Sequence, residues 1–252
     1  MITTHDHAQP GHRRRLSILL IPGTATASAY PVKGAPELTH NALYKTAKVP
    51  AAKCELTKGT SKASTTKYLT KVVGCLNASW SKTVKDFVPA RVDIKSKHEN
   101  GPCGTGMDIA GSFATSCRET IQIQLAADWI KAKDDLAILV EVTRAYSGLI
   151  QGQTGISEAW WAMPNDADEA QLDEQTHRFY LQADCLGAVS MKSLGRTSKN
   201  WKPALTAETP GEYSRFKWHG KPANRLHWFT QGYKAGRPGA CNTWKAPSSK
   251  VA

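Results

Sequence analysis

Six cysteines, Cys54, Cys75, Cys103, Cys117, Cys185 and Cys241, constrain this chain more than any other feature. None belongs to a Cys-x-x-Cys pair, so neither a zinc knuckle nor a thioredoxin-type redox motif is indicated. An even count favours disulfides when the chain also carries an export signal. The amino end is laid out that way. Arg13-Arg14-Arg15 precede a short apolar run, Leu16 to Ile21, which Pro22-Gly23 interrupts before small residues end in Ala27-Ser28-Ala29. Positive, apolar, then A-x-A is the order of a secretory signal, predicted here over residues 1–29 and implying a secreted protein. Six cysteines admit fifteen pairings. The simplest is sequential, Cys54–Cys75, Cys103–Cys117 and Cys185–Cys241, the last closing a long loop that ties the carboxyl end to the middle of the chain.

No other stretch approaches the ~18 apolar residues of a membrane-spanning helix, so the mature chain is expected to lack one. The whole chain carries a net charge of +12, and removing residues 1–29 takes away three arginines against one aspartate. A surface this basic suits anionic surroundings: wall polymers, acidic lipid surfaces or nucleic acid.

Residues 30–62 are rich in Lys, Thr, Ala and Pro without periodicity, and are expected to form a lead-in tethered near Cys54. From Ser64, Tyr68, Leu69, Val72, Leu76 and Trp80 fall on one helical stripe. Arg91 to Ile94 and Ile121 to Leu125 alternate as strands, with a loop between them at Gly101 to Gly106 and Gly111-Ser112. Helices are predicted from about Asp134 to Ile150, from about Asp166 to Met191, and from Pro222 to Gly236. The order predicts an α+β domain over residues 63–252, mainly helical with a small β-sheet.

Several segments bear a resemblance to a known family. They are Asn41 through Cys54, Tyr68-Leu-Thr with Cys75-Leu, Cys117 followed by Ile121 to Leu125, Gln151-x-x-Thr-Gly-Ile156, Leu181-Gln-Ala-Asp-Cys185, and Trp228 through Trp244. The chain resembles the bacterial neutral zinc metallopeptidases, a zincin-like family common among exported and membrane-attached proteins. The resemblance implies a zincin-like fold, and the Cys185–Cys241 pairing fits the family pattern. Such peptidases carry His-Glu-x-x-His on a buried helix, two His holding Zn²⁺ and the Glu acting as base for the attacking water. In the family this motif sits just before Gln-x-x-Thr-Gly-Ile. Here those positions are Arg144, Ala145, Tyr146, Ser147 and Gly148. The third ligand, a Glu just before Leu-Gln-Ala-Asp, is Tyr180. Zinc is the family's cofactor, yet arginine offers a metal no lone pair and a guanidinium repels a dication. The expectation is therefore a pseudopeptidase with no catalytic residues, no metal ligands and no cofactor.

Two readings of the vacated place remain. An ion pair between Arg144 and Asp184 or Glu141 would fill it, since a buried arginine needs a carboxylate partner. Alternatively Glu141, His177 and Asp184 would form a residual site, His177 and Asp184 sharing a helix face with Tyr180. No Gly-x-Ser-x-Gly elbow or P-loop is present. The acidic residues from Asp166 to Glu174 read as a solvated helix start. The basic and aromatic carboxyl third (Phe216, Lys217, Trp218, His219, Arg225, His227, Trp228, Phe229, Tyr233, Lys234, Arg237, Trp244) could stack sugars or bases, although Trp228, Phe229 and Tyr233 have the spacing of core positions. Trp160-Trp161 would line a retained groove or bury against the sheet. Asn77-Ala-Ser79 matches a glycosylation sequon.

Three functions follow: an inactive relative that binds peptides or anionic envelope polymers, a hydrolase with a relocated site, or a cationic secreted effector. The sequence does not choose a partner.

Overall fold

A computed structural model describes residues 32, 35–98, 111–163, 169–206 and 218–252. The signal at 1–29, Cys103 with its glycine-rich loop, the helix start at Asp166, and Phe216-Lys217 lie outside the described residues.

The fold is α+β, mostly helical, with eight α-helices and one three-stranded sheet among the described residues. The helices are α1 (Pro36–Thr39), α2 (Lys62–Trp80), α3 (Ala127–Lys131), α4 (Leu136–Gln153), α5 (Ile156–Trp161), α6 (Glu169–Ser193), α7 (Lys202–Thr206) and α8 (Pro222–Ala235). The strands are β1 (Arg91–Lys95), β2 (Phe113–Cys117) and β3 (Thr120–Gln124), in the order β1-β3-β2.

Helix α2 starts where its sequence provides a cap. Ser61 accepts from the Ser64 backbone N–H while the Ser64 side chain returns the bond, satisfying two donors that a helix start leaves open. The predicted stripe Tyr68, Leu69, Val72, Leu76 and Trp80 is buried. Helix α4 is buried along most of its length and ends at Thr154, before Gly155 takes a left-handed conformation at φ 75°. Helix α6 is enclosed on all sides from Leu181 to Met191, which makes it the axis of the fold. It packs against α4 on one flank and α8 on another. Trp80 of α2 reaches its far end and donates to Ser190 Oγ at 2.9 Å.

The sheet sits against α4. Ile121 and Ile123 of β3 are fully buried, pairing with Val92 and Ile94 of parallel β1 and with Ser116 and Ala114 of antiparallel β2. Strand β2 begins next to the stretch read from sequence as a loop. Phe-Ala-Thr-Ser-Cys has no apolar alternation, so pairing with β3 and packing on α4 create the strand rather than local preference.

The lead-in is more firmly held than its composition implies. Leu38, Leu43 and Val49 are buried, Val49 N–H donates to Gly236, and Ala52 N–H donates to Ser193. The disulfide Cys54–Cys75 then ties this strap to α2, and Cys185–Cys241 joins α6 to the carboxyl-terminal segment. A link across 56 residues restricts the unfolded chain by about 4 kcal/mol on the loop-entropy account. Buried Arg178 reinforces the same seam, bonding Glu174 and the Thr243 carbonyl, while Thr243 Oγ1 donates to the Arg178 carbonyl.

Asn77, the sequon residue, is occupied structurally. Its amide bonds both the N–H and the C=O of Ala90, and its oxygen also accepts from Tyr146.

Helix α8 can lie close to α6 because residue 232 has no side chain. A Cβ there would stand 2.1 Å from the Cys185 carbonyl oxygen. Gly232→Ala is expected to lower stability by about 1–3 kcal/mol, read as a drop of several degrees in the melting temperature of the oxidised protein.

Candidate functional site

Helix α4 carries the five positions singled out from the resemblance, with Ala145, Tyr146 and Ser147 buried and Arg144 and Gly148 half-buried. At Gly148 the helix meets the sheet, where a Cβ would come 2.5 Å from Ser116 Oγ of β2. Glycine at this position lets β2 settle onto α4.

Arg144 points the other way, toward α6 and the turn that precedes α8. Its Nη2 pairs with Glu141, one turn earlier on the same helix. Its Nη1 lies 3.0 Å from His219 Nε2. A guanidinium has no acceptor, so Nε2 must be the unprotonated ring nitrogen and Nδ1 carries the hydrogen. Nδ1 lies 2.7 Å from Asp184 Oδ2, a close electrostatic contact rather than an aligned hydrogen bond. Asp184 has no exposed side-chain surface. Arg225 of α8 holds it with two bonds, Nε to Oδ2 at 2.9 Å and Nη2 to Oδ1 at 3.3 Å. The chain Glu141–Arg144–His219–Asp184–Arg225 thus links three helices and the turn before α8, with two carboxylates against two guanidinium groups around a neutral imidazole.

The electrostatics agree with that assignment. Burial alone would push the Asp184 carboxyl up, but Arg225, then His219 and Arg144, outweigh it and hold the group well below the usual carboxylate range. Burial is also the largest influence on His219 and drives its pKa below 6.5. Asp184 opposes this in part, while Arg225 and Arg144 add to it. Tyr180 is pushed up by burial, with Arg144 opposing.

The ion pair expected of Arg144 is present, and its partner is Glu141. Asp184 is taken by Arg225 and His219 instead. Glu141 faces Arg144, Asp184 faces α8, and the His177 ring lies against Gly220, where a Cβ would be 3.2 Å from Nδ1. Among the described residues no three His, Cys, Asp or Glu side chains are placed to hold a metal ion. His219 and Arg225 were assigned from sequence only to a basic, aromatic stretch. A signal for Arg225 did exist, because it shares the inner stripe of α8 with Phe229 and Gly232, and a cation there demands a buried carboxylate.

Aromatic rings border the network. Tyr180 stacks on Trp218 at 5.1 Å between centroids and meets the His219 ring edge-on at 5.6 Å. Phe179 stacks on Trp160 at 4.1 Å. Trp160 therefore packs on α6, not on the sheet, and Trp161 beside it stays exposed. Trp228 and Phe229 are core residues, and Tyr233 packs on Trp201.

His219 is neutral in the fold, and its pKa there lies below the value it regains on unfolding. The unfolded chain therefore binds the extra proton more readily, and native stability should fall as pH drops below about 6.5. Asp184, depressed in the fold, loses its contribution only at much lower pH. Chemical denaturation at about pH 7 and pH 5 should show this loss in the wild type, and His219→Gln should flatten it.

The chain is similar to proteins described as "Uncharacterized protein YpfJ" from Escherichia coli K12 and Escherichia coli O6:H1, each 26% identical over 163 residues. The match covers 56% of this chain and 57% of either relative, so it spans little more than half of their length. No protein-family model matches the chain. No solved structure matches it either.

Proposed function

We propose that this protein is a secreted, catalytically inactive relative of the neutral zinc metallopeptidases, with a zincin-like fold, that binds peptides or anionic envelope polymers without cutting them. One observation carries the reading. The residue standing in place of the first zinc-binding histidine is Arg144, and its guanidinium is engaged by Glu141 and His219. A permanent cation donates hydrogen bonds and binds no metal. The neighbouring groups are engaged as well, since Asp184 is held by two bonds from Arg225 and lies against His219, and His219 Nε2 accepts from Arg144. Both carboxylates of the network face guanidinium groups, which for Asp184 lowers the basicity below what a general base in hydrolysis needs. Beside it the aromatic rings of Trp160, Phe179, Tyr180 and Trp218 offer a surface on which a chain could lie. Export accords with the two disulfides and with the order of residues 1–29. No helix among the described residues is long and apolar enough to cross a membrane.

A second reading, a hydrolase with a relocated site, draws on the Asp184–His219 pair, a carboxylate beside an imidazole as in many general bases. It requires Arg144 to leave Nε2.

Metal content separates the two classes of metal chemistry first. After exposure to zinc and dialysis, the purified protein should retain less than about a tenth of an equivalent by plasma mass spectrometry. Close to one equivalent, lost on replacing His177 or Asp184, would sink the pseudopeptidase reading. Peptide hydrolysis that resists chelator and disappears in His219→Gln would instead establish the relocated site.

A further inference from the structure

Trp161 is 76% exposed, far more than any other large apolar side chain of the described residues. It is held beside Trp160, ring centroids 4.8 Å apart, and Trp160 is itself anchored by its stack on Phe179. Seven residues earlier on α6, Leu172 continues the Phe179 face into solvent, about two turns away. The surroundings reverse the charge of the molecule. Residues 145–177 contain no Lys or Arg but six acids, in a chain with 33 cations and a net charge of +12. Glu158, Glu169 and Asp173 are exposed and form no ion pair among the described residues. Helix dipoles account for acids near the starts of α5 and α6. They give no reason for an indole left in water between those helices, where it forfeits the gain from burial.

We propose that this aromatic face, Trp161 with Trp160 and Leu172, rimmed by Glu158, Glu169 and Asp173, docks a basic segment of a partner polypeptide. An arginine or lysine head placed over the Trp161 ring gains cation–π attraction. An apolar stem farther along the segment covers Leu172, and the three carboxylates neutralise its other cations. Anionic polymers and acidic lipid surfaces are disfavoured at this face by the same carboxylates. The inference goes beyond peptidase ancestry and does not rest on it, so the zinc result and this one vary separately.

Fluorescein-labelled hexa-arginine, titrated with the purified oxidised full chain at low ionic strength and followed by anisotropy, should bind saturably. Trp161→Ala should weaken binding about three- to five-fold, the scale of one exposed cation–π contact, and Trp161→Phe should recover part of the loss. The triple change Glu158→Gln, Glu169→Gln, Asp173→Asn should weaken it by a similar factor. Hexa-glutamate binding should respond to neither. An unchanged melting temperature in Trp161→Ala shows that the fold is intact, as expected for a side chain in solvent. Absence of saturable hexa-arginine binding, or binding indifferent to Trp161→Ala, overturns the proposal. So does concentration-dependent self-association in sedimentation velocity that Trp161→Ala abolishes, because the face would then belong to a second copy of this chain.

Discussion

A carboxylate with no exposed surface cannot stay charged without partners, and Asp184, in the enclosed middle of α6, sets that condition for everything around it. The cost of burying one ion amounts to several kcal/mol even after relaxation. Arg225 meets it with a two-pronged bond, and this fixes the rotation of α8 against α6. Gly232, two turns along α8, makes the same approach possible at the backbone level. His219 supplies a further contact and so draws the turn before α8 toward α4 and α6. Charge pairing and close packing on α6 therefore specify one arrangement together.

The same network leaves the charged side chains of α4, α6 and α8 engaged with one another. Four cationic or anionic groups neutralise one another, and the only titratable nitrogen among them faces a guanidinium. Arg144 serves as the bridge, because it connects the carboxylate of its own helix to the imidazole of a distant turn. A lysine could not do this equally well, since it lacks the planar fork that reaches two partners at once. The aromatic rings beside the network are packed in offset and edge-on pairs, which leaves polarity confined to one narrow line of contacts.

The molecule divides its charge. Most of the surface is basic, whereas the stretch from α5 to the first turns of α6 is acidic and holds the exposed indole. The bland account of acids at helix starts covers the charges but not the tryptophan, and the two features share one stretch of the chain.

The α2 stripe, the buried run of α4 and the limits of α8 were legible in the sequence because they depend on local periodicity, capping and the Pro and Gly signals at helix ends. The pairings Cys54–Cys75 and Cys185–Cys241 were the simplest of many, and the fold realises both. That Arg144 would need a carboxylate was also legible, since this follows from charge alone. Strand β2 was not, because Phe113 to Cys117 shows no alternation and is made a strand by its neighbours. The packing of residues 35–60 escaped notice for a similar reason: their bonds go to Gly236, Ser193 and Thr154, far away in the chain. Above all, the sequence by itself determined that the Arg144 position offers no metal ligand, because residue identity decides what can ligate a metal. Only the tertiary structure decided that His219 and Arg225 would stand there instead, 35 and 41 residues from Asp184, since contacts across such distances are set by packing and not by spacing.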